Sequence, residues 1–164
     1  MTAGVNSALE TAAVDARPPA AVVRITSLIM RPLLRTPLSR MITPLALLEF
    51  TGRHSGARRR VVVGWHSHGT TYIVVTPASW RANFEHAHPA IVYWRGRRSS
   101  FIGTLDHDPE RVADAVSALL RGGTSARSLA LQIPAGHTLD ADDMTRTNRA
   151  IVRFAPADSV DDPV

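Results

Sequence analysis

The 164-residue sequence reads as an α+β protein whose antiparallel strands curl into a barrel, with helices before, between and after them. Three observations point there. Apolar residues recur at helical spacing early in the chain and again after residue 107. Between these stretches lie short β-rich apolar runs bounded by Gly, Ser and His-Gly turns. The chain is 45% hydrophobic but only 5% aromatic, which suits one domain with a core of Val, Leu, Ile and Ala.

In order along the chain, residues 1–17 are small and polar, the composition of a disordered lead. They lack the charged and then apolar layout of a secretory signal. Pro18 and Pro19 suit a first helical turn. Over residues 20–35, Arg24, Arg31 and Arg35 fall on one helical face and Val22, Ile25, Ile29 and Leu33 on the other. Pro32 interrupts that helix, and a second short helical segment runs from about Pro37 to Ile42. Strands are expected at residues 45–51, 58–66 and 71–76, with a hairpin turn at 67–70. Residues 79–88 lack alternation and predict a short helix ending before Pro89. Residues 90–95 and 98–106 predict a hairpin joined by Gly96. Asp108 is a good N-cap and Pro109 a good first residue for a helix that buries Val112, Val116, Leu119 and Leu120 and stops at Gly122 and Gly123. Residues 124–133 fit neither period. Asp140 caps a helical turn to about Thr147, residues 150–155 form a last strand, and the polar tail frays. The expected organisation is a lead (1–17), a single domain (18–156) and a tail (157–164).

Charge narrows the partners. The net charge is +5, the pI about 11.1, and all 19 basic residues are arginine. A lysine-free, Arg- and Ala-rich chain has the composition of a GC-rich genome. The surplus nonetheless favours anionic partners such as phosphates, carboxylates or an acidic membrane face. With no cysteine, disulfides, thiolate metal sites and cysteine nucleophiles are excluded. No apolar run reaches the roughly 18 residues of a membrane span. The expected location is the cytoplasm, with peripheral contact to the inner membrane face if the arginine-striped helix at 20–35 rests on lipid.

The most informative stretch runs from a strand into Gly52-Arg53-His54-Ser55-Gly56 and out into another strand. Two glycines within five residues allow positive φ and leave N–H groups uncovered, so the turn can form a nest for an anion. Arg53, Arg58, Arg59 and Arg60 surround it, and arginine suits bidentate contact with phosphate or carboxylate. From spacing alone, a tight hairpin with solvated arginines is the favoured reading.

Several motifs in order carry more. T-G-R-x-S-G-x-x-R (Thr51 to Arg59), a Val-rich strand (Val61 to Trp65), Thr76-Pro77 and Trp80-Arg81-Ala82-Asn83-Phe84 together resemble the deazaflavin-dependent nitroreductase and quinone-reductase family. The resemblance spans roughly residues 30–121. It implies a split β-barrel of mainly antiparallel strands with N-terminal and flanking helices, holding the deazaflavin coenzyme F-420, with FMN the less favoured cofactor. It further implies that Gly52, Arg53, His54, Ser55, Gly56 and Arg59 face the cofactor's phosphate and acidic tail. Val61, Val62, Val63, Thr76, Pro77, Ala78, Trp80 and Asn83 would line its ring and ribityl chain. The implied activity is hydride transfer to a quinone-like, nitro or other conjugated small-molecule acceptor by a monomer or homodimer. The sequence departs from the family at His54 (usually Lys or Arg), at Arg60 to Val63 (no proline), at Arg81 (often aromatic) and at 124–133 (no tyrosine). No catalytic residue is therefore assigned. A non-catalytic cofactor- or lipid-binding protein on the same fold is the alternative.

Other features read as structural. The pairs His66/His68 and His86/His88 could each face one side of a strand, but no carboxylate is fixed beside them, so solvated histidines are expected ahead of a metal site. Asp140, Asp142 and Asp143 lack calcium-loop spacing and suit helix capping. Arg95, Arg97 and Arg98 beside Tyr93 and Trp94 could suit a single-stranded nucleic acid. A solvated hairpin tip accounts for them better, and nucleic acid is not an expected partner.

Overall fold

The computed structural model describes residues 14–15 and 45–157. The predicted helices at 18–42, most of the lead and nearly all of the tail lie outside these residues, and with them the proposed membrane contact. Val14–Asp15 is a two-residue strand, β1, within the segment read as a disordered lead.

The α+β split barrel is present. It is one seven-stranded antiparallel sheet in the order β3-β2-β6-β7-β9-β5-β4, built from β2 (Leu45–Thr51), β3 (Arg58–Gly64), β4 (His66–His68), β5 (Thr71–Thr76), β6 (His88–Trp94), β7 (Arg97–Asp106) and β9 (Ala150–Pro156). β8 (Leu131–Gln132) pairs with β1 in a separate ribbon. The run predicted as one strand at 58–66 breaks at Trp65, which is 2% exposed. There the chain passes from one edge strand, β3, to the other, β4. Curling brings these edges together without a hydrogen-bonded ladder between them, and this seam is the split in the barrel.

Alternation along the strands builds two cores. Leu48, Phe50, Val74, Val92, Phe101, Val152 and Phe154 fill the barrel. Ile73 and Ile151, one residue out of phase, point the other way, onto α1 (Pro109–Arg121) and α2 (Ala141–Arg146). As predicted, Asp108 caps α1 by accepting the Arg111 N–H. Asp140 and Asp143 form a reciprocal capping box on α2. Among the described residues no helix is long and apolar enough to cross a membrane.

Two expectations need correction. The helix expected over 79–88 is a 3-10 helix confined to Ser79–Phe84, with no side-chain cap at Ala78. Pro89 does not stop it but lies within β6 opposite Ile102. Pairing of β6 with β2 begins only at Ala90, so the N–H that proline lacks falls outside that ladder. The β6–β7 turn is formed by Arg95 (φ 50°) and Gly96 (φ 74°), the two positive values a type I′ turn requires.

Candidate functional site

The turn between β2 and β3 closes on itself through backbone bonds. Gly52 N–H donates to the Ala57 carbonyl and Gly56 N–H to the Gly52 carbonyl, each 2.8 Å. Gly56 has φ +61°. At Gly52 a Cβ would lie 2.6 Å from Ser55 Oγ and 3.2 Å from Arg59 Nε, so the bare backbone lets Arg59 pack over the turn.

Of the six turn amides at 52–57, four are engaged. Besides the two above, Ala57 N–H donates to Ser55 Oγ (3.3 Å) and Arg53 N–H to Asn83 Oδ1 (2.8 Å). The nest expected from the two glycines is thereby narrowed to the amides of His54 and Ser55, for which no protein acceptor is found among the described residues.

The arginines around the turn divide in the same way. Arg53 is paired with Glu85 at 2.9 Å, which holds the Glu85 carboxyl below its ordinary range. Arg58 and Arg60 both pair with Glu49, a carboxylate only 4% exposed, at 3.4 and 2.5 Å. Arg59 has no carboxylate partner among the described residues, since pleating turns it to the opposite face of β3. It lines a cavity of about 220 Å³ together with Gly52, Arg53, His54, Ser55 and Trp80. Gly56 does not line this cavity. Asn83 does, but its amide is engaged within the protein: besides accepting from Arg53 it donates to the Trp80 carbonyl at 2.7 Å. It ties the turn to the 3-10 helix. Ser79 and Ala82, not picked out from sequence, complete the wall.

Trp80 is shared with a second cavity, of about 400 Å³, at the seam. Val61, Val62 and Val63 of β3 form one side. Thr76, Pro77 and Ala78 at the end of β5 form the other, although β3 and β5 stand far apart in the strand order. Ser128, Leu129, Ala130 and Arg149 close the cavity. Arg149 is 5% exposed and donates to the Ala130 carbonyl at 2.7 Å. No sequence signal marked this wall, because it arrives from the far end of the chain. Arg81 reaches the other way. It donates to the Thr76 carbonyl (3.0 Å), the Asn148 carbonyl (2.7 Å) and Asn148 Oδ1 (2.8 Å), bracing the 3-10 helix against the approach to β9.

His66 is buried, and burial lowers its pKa from the ordinary 6.5. Among the described residues no group of three His, Cys, Asp or Glu could hold a metal.

No family model matches the chain, and no curated protein matches it. Solved structures similar to it include one described as a domain-swapped dimer, 16% identical over 84% of this chain and 99% of that one, TM-score 0.47. Another, described as an F420 reductase, is 14% identical over 77% and 92% of the two chains, TM-score 0.40. The FAD and heme binding protein from Mycobacterium smegmatis is 17% identical over 82% and 91%, TM-score 0.35.

Proposed function

We propose that this chain binds an elongated, anionic deazaflavin of the coenzyme F-420 type across Trp80 and reduces a small conjugated acceptor with it. The observation that carries this reading is the pair of adjoining cavities with opposite chemistry. One holds an arginine without a carboxylate partner and two open amides; the other is walled by valines, Pro77 and Leu129. A molecule with a phosphate at one end and a flat ring at the other matches both, and the ordered motifs around Gly52 and Trp80 resemble a family that binds one.

When bound, such a cofactor supplies hydride transfer. The chain's own residues would do the rest. Arg59 and the amides of His54 and Ser55 would hold the anionic end. Asn83 keeps the turn at its distance from Trp80. The valines of β3 and the 76–78 segment exclude water from the ring, and Arg149 sets a buried positive charge in the wall, favouring negative charge there. A second reading, binding without turnover, is favoured by one observation: among the described residues no Tyr, Asp or Glu lines the seam cavity to donate a proton to an acceptor.

Fluorescence titration with coenzyme F-420 and with FMN tests the proposal. F-420 should bind more tightly, and Arg59→Ala should weaken it roughly 10- to 100-fold, as for loss of one charge-assisted contact of about 1.5–3 kcal/mol. Arg121→Ala, at the exposed end of α1, should leave it unchanged. Equal or tighter FMN binding rejects the cofactor assignment. Tight F-420 binding with no oxidation of its reduced form by quinone or nitro acceptors would select the second reading.

A further inference from the structure

A cavity of about 630 Å³ lies outside this groove. Its wall is aromatic: Trp65, Tyr72, Trp94 and Phe101 line it, and their rings contact one another. Trp65 and Tyr72 stack at 4.9 Å with only 17° between planes. Arg95 and Arg97 of the β6–β7 turn also line it, and no acidic residue does among the described residues. The Arg95 guanidinium lies 4.5 Å from the Trp94 ring centroid, within cation–π range. Arg95 holds φ 50° at a turn position that favours Asn, Asp or Gly. The indole N–H groups of Trp65 and Trp94 are buried, with no acceptor among the described residues.

We infer that this cavity is a second ligand site, for a small planar aromatic molecule carrying a carboxylate or sulfonate. The rings match a flat apolar body, and the arginines beside them match its charge. The volume falls within the range of small-molecule pockets. A stacking surface for nucleic acid fits less well, because Trp65 and Phe101 are only 2% and 8% exposed and form the floor of a cavity, not an open platform.

Anilinonaphthalene sulfonate, a fluorescent aromatic anion, is a direct probe. Full-length protein should bind it saturably, at one equivalent, with energy transfer from tryptophan. Arg95→Glu and Arg97→Glu, both at exposed hairpin-tip positions, should each weaken binding about tenfold or more while the melting temperature stays at the wild-type value. Arg59→Ala should bind the probe as wild type does, which keeps this test separate from the cofactor groove. The inference is overturned if the glutamate variants bind equally well, if neutral phenylnaphthylamine binds as tightly as the sulfonate, or if coenzyme F-420 competes the probe away. It is also overturned if the protein sediments as a dimer that excludes the probe until diluted, which would assign the cavity to a second copy of the chain.

Discussion

Arg58 and Arg60 lie on one face of β3 and Arg59 on the other, and the two faces do different work. The first pair converges on Glu49, a carboxylate that sits in β2 directly across from Arg60 and is almost fully buried. A buried carboxylate needs partners, so these arginines belong to stability. Arg59, one residue along and chemically identical, sits over the Gly52 turn beside Trp80 with no carboxylate. An arginine triplet that looks like one basic patch is thus sorted by the two-residue period of the strand into a structural ion network and one cation available to a ligand.

The sharpest way to break this division is Arg60→Ala. It removes the nearer partner of Glu49 and should destabilise the chain by about 3 kcal/mol, the low end for orphaning a buried charge, because Arg58 remains. Urea unfolding measures it, and F-420 affinity of the folded protein should not change. A loss under about 1 kcal/mol would mean that Arg58 alone satisfies Glu49 and that the two faces differ less than drawn here.

Gly56→Val acts on the other face. Nothing lies within 4 Å of the new Cβ, so the cost is conformational: a β-branched residue at φ +61°, about 1–3 kcal/mol. Both stability and anion binding should fall, and unchanged values for both would show that the turn tolerates another conformation. Asn83→Ala should be milder, about 1–2 kcal/mol for two part-exposed hydrogen bonds. It should also loosen F-420 binding, by displacing the turn and by removing a residue that lines its cavity. If binding stays at the wild-type value, the link between turn and 3-10 helix is irrelevant to the site.

The smallest effect is in pH, and it contrasts paired charge with burial. Burial lowers the His66 pKa below 6.5, so the unfolded chain binds the proton more readily than the folded one. The stability associated with neutral His66 is therefore present above pH 6.5 and is lost as pH falls from there through the folded value. His66→Gln should flatten that part of a stability–pH curve. An identical slope in the variant would place the titration elsewhere.

Much was legible from local chemistry. The short β-rich apolar runs marked β2, β5, β7 and β9, and Asp108 and Asp140 announced their helices, because these signals act within a few residues. The turn and W-x-x-N motifs picked out residues that lie in two adjoining cavities. Which donors of that turn stay open was not legible. That depends on Asn83 and Glu85, some 30 positions away, reaching back to Arg53. Pro89 misled because its lost N–H matters only where a neighbouring strand would use it, and the pairing of β2 with β6 stops at Ala90.

By itself, then, the sequence determined the elements and the anion-seeking character of the 52–59 segment, since alternation, capping and glycine conformation are properties of short stretches of chain. Tertiary structure alone decided which arginine is left for a ligand, that Trp65 carries the chain across the split, and that Ser128 to Ala130 and Arg149 wall the seam. Each depends on how far the sheet curls. β5 and β9 send side chains into both cores, and that sum over distant residues has no local signature.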